Sequence, residues 1–173
     1  FGGSANSFAW WTVRVPNPRV KISHHLHVPA TVIKAVKNRV PVILIVRDPV
    51  GSVVSLYSRG YIPSLRQGFR HYTMFHERLL PLRDQLLIAT FEEVTSDMGR
   101  IIQRCNEKFG TAFVPFEHTP ENVEDCRSRI PPASQLTTQR SLRKKEVLEV
   151  VENDHQTTKL KKKTESLHQI FIS

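Results

Sequence analysis

The stretch "RVPVILIVRDPVGSVVSLYSRG", residues 39–60, governs the reading of the whole chain. Val42 to Val46 form a β-branched run without polar alternation, as expected of a strand covered on both faces in a parallel sheet. The run ends in Arg47. Asp48 is then placed to cap a helix, with Pro49 in its first turn, where a missing N–H costs nothing. Val50, Val53, Val54 and Tyr57 follow at helical spacing and predict that helix's buried stripe. A permanent cation is thus delivered to the junction of strand end and helix start. In open parallel sheets ligands sit outside the carboxyl ends of the strands, so Arg47 is a candidate phosphate clamp beside a helix N-terminus. Ser55, two turns into the helix, offers one further hydroxyl. The competing reading pairs Arg47 with Asp48 or another surface carboxylate and leaves Ser55 merely tolerated. Charge and spacing alone do not separate the two.

Outward from this stretch, helices and strands alternate. "RVKISHHLHVP" (19–29) predicts a short strand, and "ATVIKAVKNR" (30–39) a short helix carrying Val32, Ile33 and Val36. A long helix is expected from about Ser64 to Leu80 on the spacing of Phe69, Tyr72, Phe75 and Leu79. "QLLIATFEEV" (85–94) predicts a second buried strand, leading to a helix over 97–109 with Gly110 as its stop. Residues 111–138 are rich in prolines and read as loop, and two polar helices close the chain near 140–152 and 155–171. Residues 1–18 carry little pattern. The whole, 1–173, reads as a single α/β domain, long enough to bury a real core.

Composition narrows the partners. Lys and Arg number 25 against 16 Asp and Glu, a net +9 with pI near 9.9, which favours anionic ligands. Two basic runs, "RSLRKK" (140–145) and "KLKKK" (159–163), hold much of the excess, and such runs are usually solvated helix faces. The longest apolar run, Val42 to Val46, is far short of a membrane span. Cys105 and Cys126 show no CxxC spacing, so no disulfide framework is expected and a reducing, cytoplasmic setting fits. His24, His25 and His27 form no metal site: adjacent strand residues point to opposite faces, and no carboxylate or cysteine joins them.

The chain also resembles a family. "VRDPVGSVVSLY" (46–57) is similar to the Arg-x-Pro…Ser signature with which sulfotransferases grip the 3′-phosphate of 3′-phosphoadenosine 5′-phosphosulfate. "PRVKISHHLHVP" (18–29) resembles the family strand that carries the catalytic base, "ATFEEVTSDMGRIIQRCNEKFG" (89–110) the family's Thr-Tyr-Glu-Asp-Leu segment and following helix, and "RSLRKKEVLEVV" (140–151) its C-terminal tail. The resemblance spans residues 17–171 and implies a three-layer parallel sheet flanked by helices, like that of P-loop transferases. It implies sulfuryl transfer from that nucleotide to an acceptor hydroxyl or amine, with Arg47 and Ser55 holding the 3′-phosphate and His24 as base. Arg140 and Lys144 would close over the phosphate. Imidazole suits the base because its pKa lies near neutral pH.

Three departures stand beside it. "FGGSANSF" (1–8) has no cation and no preceding strand, so the domain reads as N-terminally truncated, without the loop that binds the 5′-phosphosulfate. Ile22 replaces the lysine two places before the base, and Phe91 stands where the family has a tyrosine facing the adenine. The alternative function is a non-catalytic basic module for nucleic acid or another polyanion. Net charge favours that reading, and the lack of interleaved aromatics weighs against it.

Overall fold

The computed structural model describes residues 27–129, 138–153 and 155–173. Pro29 opens α1 (Pro29–Lys37), where its missing N–H is one of the helix's free donors in any case. β1 (Ile43–Val46) runs parallel to β2 (Leu87–Thr90), with Ile43 opposite Leu87 and Val46 opposite Thr90. Between them lie α2 (Pro49–Ser58), α3 (Leu65–Leu79) and a 3₁₀ segment, Leu80–Gln85, that starts Leu-Pro. α4 (Phe91–Ser96), α5 (Met98–Phe109), α6 (Pro120–Ser128), α7 (Thr138–Asn153) and α8 (His155–Ile172) complete the order.

Helices pack on both faces of the short sheet, although the cover expected from the unbroken apolar run is incomplete at Ile45, which is exposed. On one face Leu44 and Val46 meet Val32 of α1, Leu79 of α3 and Leu167 and Phe171 of α8. On the other, Leu87, Ala89 and Ile43 meet Ile101 and Cys105 of α5. A third cluster joins α2, α3 and α7 through Val53, Val54, Phe69, Val147 and Val151. Cys105 is a core residue and Cys126 is exposed, both as free thiols. Among the described residues the sheet has two strands, and the chain is mostly helical, α/β in the general sense.

The expected elements recur with revised ends. The strands are shorter than the stretches that predict them, and "FEEV" turns into α4 because Thr90 and Glu93 form a reciprocal capping box. Residues 111–138 are not loop throughout. Thr119 caps α6 through the Asn122 N–H, with Pro120 and Glu121 in the first turn. The strand expected over 19–29 falls almost entirely outside the described residues, and so does the loop-like segment at the start of the chain.

Candidate functional site

Arg47 leaves the end of β1, and the next parallel strand ends beside it, because Val46 is in register with Thr90. That register sets Phe91, the residue after β2, level with Arg47. The guanidinium carbon sits 4.5 Å from the centre of the Phe91 ring, within cation–π range. Among the described residues no carboxylate lies within ion-pair distance of Arg47. Asp48 is engaged elsewhere, accepting the Gly51 N–H as the cap of α2. The ion pair weighed as the alternative for Arg47 is therefore not what the side chain does. It rests on an aromatic floor, with its hydrogen-bonding edge unclaimed by any acid among the described residues.

The helix start is less open than its sequence suggests. Pro49 has no N–H, and the Gly51 N–H goes to Asp48, so two first-turn donors are closed to a ligand. The turn is closely packed, because a Cβ added to Gly51 would come 2.8 Å from Asp48 Oδ2. The same Cβ would lie 4.0 Å from Arg47 Nε, so the arginine folds back over this residue. Ser55 and Arg59 follow Gly51 at successive four-residue steps, which puts them on the same side of α2. Ser55 is buried, and Arg59 is the exposed C-cap.

α7 packs against α2, and Lys144 of α7 is within electrostatic range of Arg47 and Arg59. Its ammonium is more readily deprotonated than usual, first through burial and then through repulsion from Arg47 and Arg59. Three cations thus share one neighbourhood. Arg140, also expected there, is on α7, with its side chain outside the described set. His24 lies outside the described residues altogether. Among the described residues no cluster of His, Cys, Asp or Glu could hold a metal ion.

Two neighbours of Arg47 escaped the sequence reading. Tyr72, read there as one of the apolar stripe of α3, donates its hydroxyl to the Arg47 carbonyl at 2.9 Å and lies 3.2 Å from His168 Nδ1. A tyrosine on a buried helix face needs a partner for its hydroxyl, and that requirement was the available signal. Phe91 was noted only for the adenine-facing tyrosine it replaces. Here its ring carries the guanidinium.

Comparison with family models, curated proteins and solved structures finds no match for this chain.

Proposed function

We propose that this chain is a sulfotransferase-type unit that binds 3′-phosphoadenosine 5′-phosphosulfate and passes its sulfuryl group to an acceptor hydroxyl or amine. Its α/β core would be the part of a P-loop-transferase-like, three-layer sheet that carries the 3′-phosphate site. One observation supports this above the others. Arg47 stands at the carboxyl end of a parallel strand, on the Phe91 ring, with no carboxylate among the described residues in ion-pair range and with Lys144 and Arg59 in its electrostatic neighbourhood. Concentrated positive charge of this kind costs folding energy unless an anion offsets it, and a dianionic phosphate does so most completely.

In the proposed reaction the acceptor oxygen or nitrogen attacks sulfur in line with the leaving phosphate. The S–O bond to the nucleotide breaks, and the acceptor's proton passes to His24. The adenosine 3′,5′-bisphosphate product keeps the electron pair. Positioning and charge neutralisation would do most of the catalytic work, as in phosphoryl transfer. Arg47 would hold the 3′-phosphate by a two-pronged contact, with Ser55 adding one hydroxyl donor.

Calorimetry with adenosine 3′,5′-bisphosphate and adenosine 5′-monophosphate tests the assignment. Arg47→Ala is expected to weaken the bisphosphate by roughly tenfold to a hundredfold and to leave the monophosphate nearly unchanged. Arg47→Lys should recover only part of the loss, because an ammonium cannot form the fork. Ser55→Ala should cost about 0.5–1.5 kcal/mol. Equal losses for both nucleotides, or a collapse of Tm on Arg47→Ala, would make the arginine structural and end the reading.

A further inference from the structure

Arg47 is held by its backbone as well as by its side-chain contact with Phe91. The Tyr72 hydroxyl has one hydrogen. Placed 2.9 Å from the Arg47 carbonyl, which can only accept, that hydrogen is committed there. The contact to His168 Nδ1 at 3.2 Å must then run the other way, with the imidazole donating and the phenol oxygen accepting. His168 therefore carries a proton on Nδ1. The phenol ring is fixed from behind by His76, stacked on it at 4.1 Å with an angle of 23°. His76 itself is turned by its Nδ1 contact, at 2.9 Å, to the Tyr72 carbonyl. Burial, with Asp48 nearby, keeps the Tyr72 phenol far above its ordinary pKa, so it stays a neutral donor.

We propose that His168 and Tyr72 form a positioning relay that runs from α8 through α3 to the peptide of Arg47 and fixes where its guanidinium lies over Phe91. Neither residue touches the ligand in this scheme; both act through Arg47. The consequence for nucleotide affinity rests on the function proposed above, whereas the relay itself is a statement about Arg47 alone. An end of β1 that is not tied to α3 would let the Arg47 peptide rotate, and a small rotation there is magnified along a side chain of this length.

The test therefore reads Arg47 directly. In the isotope-labelled 173-residue protein, the Arg47 Nε–H resonance, identified by its loss in Arg47→Lys, should be displaced by the ring current of Phe91. Tyr72→Phe removes one oxygen and keeps the stacked ring, and should move that resonance back toward ordinary arginine values. His168→Asn retains a donor near the Nδ1 position and should leave the resonance nearly in place, while His168→Leu should imitate Tyr72→Phe. The double variant Tyr72→Phe with His168→Leu should go no further than Tyr72→Phe alone. Bisphosphate affinity should follow the same order, with a loss of about three- to tenfold for Tyr72→Phe. An Arg47 resonance unmoved in folded Tyr72→Phe would overturn the relay, and so would equal effects of His168→Asn and His168→Leu. If the resonance follows the predicted order while the wild type binds the bisphosphate no better than the monophosphate, the relay stands and the nucleotide reading fails.

Discussion

At His76 burial and hydrogen bonding pull one imidazole in opposite directions. Burial lowers its pKa and is the larger effect, the Tyr72 carbonyl raises it, and His168 lowers it again. The side chain is buried between Phe75, Tyr72 and Phe171 and cannot recover hydration once charged. Because the folded pKa lies below the unfolded value of about 6.5, the unfolded chain binds the extra proton as pH falls through that value. Stability is therefore whole above about pH 6.5, declines below it, and stops declining once the folded imidazole also protonates. Glu93 has its carboxyl held low first by the Thr90 N–H, and its contribution is lost only in a more acidic window. Thermal unfolding at stepped pH should thus show a Tm loss beginning near neutrality that His76→Asn makes shallower. An unchanged profile in that variant would place the acid sensitivity elsewhere. At this scale Arg47 was legible, because an arginine ending an apolar run is visible in one dimension. Its floor and its tether were not, since Phe91 and Tyr72 reach it only through strand register and helix packing.

Between elements, α3 comes close to α2 and to Ile62 beyond it at Gly68. A Cβ there would come 2.5 Å from Ile62 Cδ1 and 2.6 Å from Val53 Cγ1. The isoleucine tip can turn aside, but a β-branched valine on a helix has one favoured rotamer. Gly68→Ala is expected to cost about 1–3 kcal/mol through overpacking, more than the helix-propensity gain of about 1 kcal/mol returns. Urea denaturation would show it as a lower midpoint at constant slope, and a midpoint that rises would mean that the two helices can separate at little cost. Several helix starts were legible where a cap stands: Asp48, Ser64 and Asp97 each accept an N–H at the start of α2, α3 and α5. Thr119-Pro120-Glu121 is the same kind of signal before α6, and the surrounding prolines hid it. The 3₁₀ segment after α3 has no periodic signature of its own, as expected of so short a piece.

Across the whole molecule the question is what +9 is for. The run at 159–163 lies on α8, where Lys163 pairs with Glu77 of α3 at 2.8 Å and Lys161 approaches Glu165 at 4.0 Å. Lys159 and Lys162 are exposed, so much of this run is the solvated, partly paired helix face that charge runs usually make. The run at 140–145 differs in placing Lys144 within electrostatic range of Arg47 and Arg59. The α/β character and most of the core stripes could be read from apolar spacing, but this split between two similar basic runs could not. It depends on which helix face meets α2 and which meets solvent. Among the described residues no helix is long and apolar enough to cross a membrane, so the charge is not read as flanking a helical span.

The two uses of the charge predict different salt dependence. If the working positive site is the trio Arg47, Arg59 and Lys144, DNA held there would engage few phosphates. The slope of log affinity against log salt should then be shallow, about −3 for three phosphates neutralised. Adenosine 3′,5′-bisphosphate should displace that DNA, and adenosine 5′-monophosphate should not, because it lacks the 3′-phosphate. A polyanion module using the lysine faces of α7 and α8 as well would give a slope of about −6 or steeper. Its DNA would also be indifferent to the bisphosphate. Titrating a fluorescent duplex over stepped salt, with each nucleotide as competitor, separates the two. Tight binding with the steep slope and no competition would make nucleic acid the partner and leave Arg47 as one cation among many.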